Sequence, residues 1–234
     1  MTEAQQTSAS GNNAIGGRLR AHRLRLGLTQ MQLATRAGYS ERLIRKAEAG
    51  ETIRTETLEV LAEALSSPDA PVTAGQLRGD PLAVVQAFWE LRSIHSFDFA
   101  RYCGHLLAED FVLTHHGDPA VMPFSGTYHG QAGLIAFYEQ TAHHFKPLGR
   151  DSCQFFTCGD HITAKMIGRA QPLRDAHGRP MPAHQPPLET WFLYEWVVQN
   201  GLITRHDLYM DSIAWHRALT LEQSNESERY DASA

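Results

Sequence analysis

Between Arg23 and Gly50 three short stretches of helical apolar spacing are separated by glycine turns, with a hydroxyl residue after each: Gly27 then Thr29, and Gly38 then Ser40. Glycine readily takes the conformation that ends a helix, and a Ser or Thr oxygen can accept from an unpaired amide of the next one. Ile15, Leu19, His22, Arg23 and Leu26 recur at helical spacing and predict a first helix stopped at Gly27. Thr29 caps a second over Gln30 to Arg36, with Leu33 and Ala34 inward, and Ser40 caps a third through about Ala47. Beyond Gly50, Thr57, Leu58, Val60, Leu61, Ala64 and Leu65 supply the apolar stripe of a further helix.

Charge is unevenly divided. Residues 15–66 hold nine Lys/Arg against six Asp/Glu, a net of +3, while the rest hold twelve against twenty, a net of −8, within a total of −5. Solvated basic helices are common, so +3 alone is weak evidence for a nucleic-acid partner and the motif must carry that claim.

The run from Arg23 to Ala34, then Ala37-Gly38-Tyr39-Ser40, Ile44 and Glu48-Ala49-Gly50, with Thr57-Leu58 and Leu61-Ala62, resembles the lambda-repressor/Cro-like (Xre) helix-turn-helix family over about fifty residues. The resemblance implies double-stranded DNA as partner, with the third helix in a major groove. Ser40 would start that helix, and Glu41, Arg42, Arg45 and Lys46 would be its readers. Arg42 suits a bidentate contact to guanine, and Glu41 suits acceptance from cytosine. Gln30 matches the family position that contacts a phosphate, and Arg54 lies in the loop that approaches the backbone. Arg23 and Glu48 match positions that form an ion pair. For Arg18, Arg20 and Arg36, solvating a helical bundle is at least as good a reading as a DNA contact.

With 234 residues, the chain has room for two domains. No run approaches the roughly 20 apolar residues of a membrane span, and Met1 to Asn13 has no apolar core of a signal peptide, so the expectation is a cytoplasmic protein, nucleoid-associated when on DNA. Disorder is expected for 1–13 and 221–234, a helix-turn-helix domain for 14–66, a linker rich in turn formers for 67–80, and a second domain for 81–220. Cys103, Cys153 and Cys158 suit neither a disulfide framework nor a thiolate metal site and are expected to be buried, reduced thiols.

In the second domain, Leu82, Val85, Phe88, Trp89 and Leu91 read as a helix with Pro81 in its first turn, followed by a helix over Phe97 to Ala108 and a strand over Phe111 to His116. A helix from about Gln131 to Phe145 precedes two hairpins. Ser152 to Cys158 turns at Gly159-Asp160 into Ile162 to Gln171, and Leu188 to Val198 turns at Asn200-Gly201 into Leu202 to Tyr209. The fold class expected is an all-α helix-turn-helix domain followed by an α+β domain with a curved antiparallel sheet. Ala108-Glu109-Asp110-Phe111, Tyr128-His129-Gly130, Ala136-Phe137-Tyr138 and Asn200-Gly201-Leu202-Ile203 resemble the SnoaL-like branch of the nuclear transport factor 2/ketosteroid isomerase superfamily, a cystatin-like α+β barrel, over about residues 80–220.

That superfamily holds isomerases, polyketide cyclases and non-catalytic binding modules, so the pocket must decide. The resemblance puts the steroid isomerase tyrosine and its two carboxylic acids near Phe88, Leu193 and His115, and all three acid or phenol groups are missing. A cyclase-like segment resembles Gly201 to Asp207, but His206 and Asp207 are strand neighbours and only one can face a cavity. The adjacent pairs His115-His116 and His143-His144 diverge on a strand or helix, which disfavours a metal site; no cofactor is implied. Expected pocket residues are Phe88, Trp89, His115, Phe137, Trp191, Leu193 and His206. The expectation is a homodimeric one-component sensor for a small apolar ligand. The alternatives are a cyclase- or hydratase-type enzyme using His115, His206 and Asp207, or a second domain that only dimerises.

Overall fold

The structure, a computed structural model, describes residues 15–150, 153–182 and 185–216. The segments 1–13 and 221–234 lie outside the described residues, as does Ser152. Contacts group the chain into two compact units. One takes in the described residues through Glu109 with Thr157–Ile162 and Val197–Thr204; the other takes in Asp110–Phe156, Thr163–Trp196 and the described residues from Arg205 onward. No helix among the described residues is long and apolar enough to cross a membrane.

The first unit opens with α1 (15–25), α2 (Gln30–Ala37), α3 (Glu41–Glu48) and α4 (Thr55–Leu65). Thr29 Oγ1 accepts from Gln32 N at 3.1 Å, and Gln32 Oε1 accepts from Thr29 N at 2.8 Å, so two otherwise unpaired amides are satisfied together. Ser40 Oγ accepts from Leu43 N at 3.3 Å and starts α3 in the same way. One inward stripe from each helix then meets the others: Leu19, Leu33, Ile44 and Leu61 are fully buried in one cluster.

The stretch 67–80, expected as a linker, is packed. Ser67 and Ala70 form a bridge, Ser66 Oγ accepts from Val72 N, and Thr73 caps α5 (Ala74–Arg78). Val72 and Leu77 join the core of α1 to α4. Turn formers dominate the composition there, and two isolated apolar residues too sparse to show a period hold it down.

Asp80 accepts from Leu82 N and starts α6 (Pro81–His95) with Pro81 in the first turn, as expected. The continuous helix expected over Phe97 to Ala108 is absent. Instead Ser96 takes a positive φ of 53°, and two tight 3-10 turns follow at Ser96–Arg101 and Gly104–Leu106. Ala100, Cys103 and Leu106 are buried at intervals of three, the 3-10 period, which an inspection for 3.6 periodicity reads as helix.

The strands are β1 (Leu107–His116), β2 (Gly126–His129), β3 (Phe145–Arg150), β4 (Gln154–Cys158), β5 (His161–Pro172), β6 (Leu188–Gln199) and β7 (Leu202–Met210), with α7 (Gly130–His144) between β2 and β3. Among the described residues they form one sheet of order β2-β1-β7-β6-β5-β3, with β4 on β5. β1 pairs antiparallel with β2, and β3 with β5. This is the expected helical region followed by an α+β domain, with both expected hairpins present. β2 and β3 are strands that the sequence did not announce. The β6–β7 turn carries φ 54° at Asn200 and φ 76° at Gly201, the two positive values of a type I′ hairpin turn.

Within the second unit, Phe111, Leu113 and His115 of β1 are buried while Asp110 and His116 are exposed. Phe124, Phe137, Phe145 and Trp215 extend that core, with Phe145 against Trp215 at 4.0 Å. Cys103 is buried as expected, but Cys153 is half-buried and Cys158 at the end of β4 is exposed, against expectation.

Candidate nucleic-acid interface and buried histidines

Helix α3 is anchored from below by Ile44 and Ala47, and its other side presents Arg42, Arg45 and Lys46 to solvent. These cations are not equivalent. Lys46 Nζ lies 2.7 Å from Glu51 Oε2, and Arg45 Nε lies 3.9 Å from Glu41 Oε1. Arg42 has no carboxylate within ion-pair distance among the described residues, so it is the α3 cation whose charge is unopposed. Arg54 is exposed at the start of α4, where its side chain makes no capping bond.

Beneath α3, Arg23 Nε donates to Glu48 Oε1 at 2.5 Å and Arg23 Nη2 to Glu48 Oε2 at 3.0 Å, while Arg23 Nη1 donates to Leu28 O. Burial alone would raise the Glu48 carboxyl; hydrogen bonds from Arg23 and Gln30 outweigh it and hold the group below the usual carboxylate range. The Gln30 amide, expected at a phosphate, points inward and donates to Glu48 Oε2 at 2.8 Å. Ser40 is likewise committed as a cap. Over the Arg23–Glu48 pair lies an open groove of about 570 Å³, walled by Arg20 of α1, Thr29 and Gln30 at the start of α2, and Arg45 and Ala49 at α3.

A second polar stripe of α1, Arg18, His22 and Arg25, sits at i, i+4 and i+7 and faces inward. The Arg18 guanidinium donates to three main-chain oxygens, Leu77 at 2.8 Å, Arg78 at 2.6 Å and Asn200 at 3.0 Å. A Cβ on Gly79 would meet Arg18 Cζ at 2.7 Å, and one on Gly201 would meet Arg18 Cδ at 2.8 Å, so both glycines make room for it. Arg18 is thus a structural clamp. Arg36 Nη2 likewise donates to Ser66 O at 2.9 Å. His22 meets the His105 ring edge-on at 5.3 Å. Burial, then the charge of its cationic neighbours, lowers His22 to about 3 and His105 to about 4, so both are neutral at pH 7.

The histidines expected in a pocket are core groups with committed atoms. His115, 2% exposed, has Nδ1 3.0 Å from Ser125 Oγ and Nε2 3.3 Å from Met210 Sδ, with Phe124 and Phe137 against its ring. Burial and then the neighbouring His116 lower its pKa to about 4. His206 is fully buried, its ring parallel to Trp196 at 4.9 Å and to Tyr194 at 5.8 Å. Asp207 belongs to the opposite face of β7: Oδ1 lies 2.7 Å from His116 Nε2, and Oδ2 accepts from Arg205 Nε. The trio proposed for an enzyme is therefore split between two faces of the sheet.

Phe88 is buried against Phe99 at 4.9 Å, Trp89 carries the Arg92 guanidinium over its ring, and Phe137 is buried against Tyr128 and Tyr138. Trp191 is 42% exposed, and with Leu193 it occupies the face of β6 opposite to Tyr194 and Trp196. Glu189, Glu195 and Gln199 share that odd parity, a signal in the sequence that this face of β6 is the outer one. Among the described residues no group of three or more His, Cys, Asp or Glu side chains is placed to hold a metal ion.

A helix-turn-helix domain family matches residues 14–74. No curated protein matches the chain. Among solved structures, an NTF2-like protein of Burkholderia xenovorans is 17% identical with a TM-score of 0.46, covering 59% of this chain and 95% of that one. An NTF2-like protein of Burkholderia pseudomallei is 19% identical with a TM-score of 0.46, covering 60% and 97%. A provisionally assigned polyketide cyclase of Xanthomonas campestris pv. campestris is 18% identical with a TM-score of 0.48, covering 59% and 96%. Residues 14–74 thus match a helix-turn-helix domain, and an α+β domain follows it.

Proposed function

We propose that the chain is a sequence-specific DNA-binding transcriptional regulator whose second domain binds a small, largely apolar molecule and thereby shifts the DNA affinity of the first. The observation that carries the DNA-binding part is α3: a short helix fixed by Ile44 and Ala47, capped by Ser40, and presenting Arg42, Arg45 and Lys46 to solvent. The regulator acts as a homodimer, because one short helix reads few bases and a pair reads a palindrome. It works in the cytoplasm, at the nucleoid when bound.

Support for sensing comes from Arg18, which ties α1 to Asn200 in the turn between β6 and β7. Those two strands carry Tyr194, Trp196 and His206, rings stacked in the core of the sheet that would bear the ligand. Regulation requires that the ligand prefer one arrangement of the dimer, since equal affinity for both shifts nothing. An enzyme of the cyclase or hydratase kind is the weaker alternative, because both ring nitrogens of His115 already have partners and Asp207 serves His116 and Arg205.

Binding of the purified protein to a fragment of its own promoter, and to duplexes enriched from a random pool, tests the proposal. Sequence-selective binding that weakens with salt and is weakened in Arg42→Ala supports a regulator. If no duplex is preferred from the whole pool, the first domain is a protein-contact module and the regulator is refuted.

A further inference from the structure

The groove between α1, α2 and α3 holds more cation than its own contacts use. Its neutral groups are partly engaged: Thr29 Oγ1 accepts from Gln32 N, and Gln30 Nε2 donates to Glu48. Its one carboxylate, Glu48, is neutralised by Arg23, with side chains 6% and 8% exposed. Two guanidinium groups remain. Arg45 is 62% exposed and has only the 3.9 Å approach to Glu41. Arg20 is exposed and has no carboxylate within ion-pair distance among the described residues, yet it stands close enough to help depress Glu48.

The backbone under Arg20 is pinned on both sides. Two residues before it Arg18 holds three carbonyls, Leu19 is fully buried, and three residues after it Arg23 holds Glu48. With the backbone fixed, only the side chain itself has to be ordered on binding. We propose that Arg20 of α1 and Arg45 of α3 form a seat for a phosphate of the DNA backbone in this groove. The seat rests on the DNA-binding role above and deepens it. Arg45 is exposed on α3 as Arg42 and Lys46 are, and it also walls the groove, so a strand read by α3 can continue into it. The contact has no base to read, so it adds affinity and fixes register on every sequence alike.

The test uses the full chain and a duplex that the wild type prefers, beside a scrambled duplex. Arg20→Gln is expected to weaken both complexes by the same factor and to lower the slope of log affinity against log salt by about 0.9, so that a fourfold rise in salt costs the variant about 3-fold less affinity than it costs the wild type. Arg20→Lys should restore most of the slope, which separates a lost charge from a damaged fold. Unchanged affinity and slope in Arg20→Gln while Arg42→Ala weakens the preferred complex would remove this seat and leave the regulator standing. A wild type that prefers no duplex would remove both. In a separate arm, inorganic phosphate is titrated while the arginine Nε–H resonances are followed. Saturation of Arg20 and Arg45 at micromolar phosphate, with no effect of Arg20→Gln on DNA, would assign the seat to a free anion and overturn the backbone assignment.

Discussion

Arg18 Nη1 donates to the main-chain oxygen of Asn200 at 3.0 Å, joining positions 182 residues apart. With the oxygens of Leu77 and Arg78, it is one of three carbonyls on a single guanidinium. Arg18→Ala is expected to cost about 1–3 kcal/mol, since hydrogen bonds from a charged group are worth more than neutral ones but two of these are solvent-exposed. Gly201→Ala should remove much of the same stability, because its φ is 76° and its Cβ would fall 2.8 Å from Arg18 Cδ. Urea unfolding of both single variants and the double variant checks the link. The double variant should lose less than the two losses added, and strict additivity would mean that the glycine does not act through Arg18.

Glu48 gathers Arg23 and Gln30 in a nearly dry site. Removing one partner of such a pair leaves an uncompensated charge, so Glu48→Ala should destabilise the first unit by about 3–5 kcal/mol. Replacing both partners by apolar residues, Arg23→Met with Glu48→Leu, should cost far less. Thermal unfolding of the two variants decides it, and equal losses would show that packing, not charge, dominates at this position.

Three buried histidines set an acid limit on the fold. His22, His105 and His115 are lowered to about 3, about 4 and about 4, against 6.5 when unfolded, chiefly by burial. The unfolded chain therefore binds more protons between these values. Stability is fully present above pH 6.5 and falls as the pH drops toward 4, each such histidine adding a slope of up to about 1.4 kcal/mol per pH unit. The urea midpoint should decline from pH 7 to pH 5, and His22→Gln should flatten part of that decline. A midpoint independent of pH over this range would mean the rings are solvated.

What the sequence disclosed and what it hid divide by the range of the interactions. The caps at Thr29 and Ser40, the α1 to α4 stripes and the Asn200-Gly201 turn are local signals, and each lies where it was read. β2 has only four residues, and β3 starts directly after α7 and breaks register between Pro147 and Gly149, so neither shows a period. The clamp of Arg18 was hidden because its partners are backbone oxygens, which carry no residue identity, and an arginine by type suits a solvated face. The pocket residues were hardest. Trp191 and Leu193 are apolar by type but share the parity of Glu189 and Glu195 on β6, and the rings that meet His206 are Tyr194 and Trp196 on the other face.

The unequal cations of α3 predict unequal effects on DNA. Arg42, unopposed, should be the one that reads: Arg42→Ala is expected to relax the preference at a single base pair by about 1–3 kcal/mol while leaving scrambled DNA less affected. Lys46 must first leave Glu51, 2.7 Å away, so Lys46→Ala should cost less and cost it uniformly across sequences. Glu51→Gln frees that lysine without adding a contact, and binding of scrambled duplex should tighten at low salt and converge on the wild type as salt rises. Binding isotherms for the three variants on preferred and scrambled duplexes at two salt concentrations separate these roles. Were Glu51→Gln to weaken scrambled binding, Glu51 would be holding Lys46 in place for the phosphate instead of competing with it.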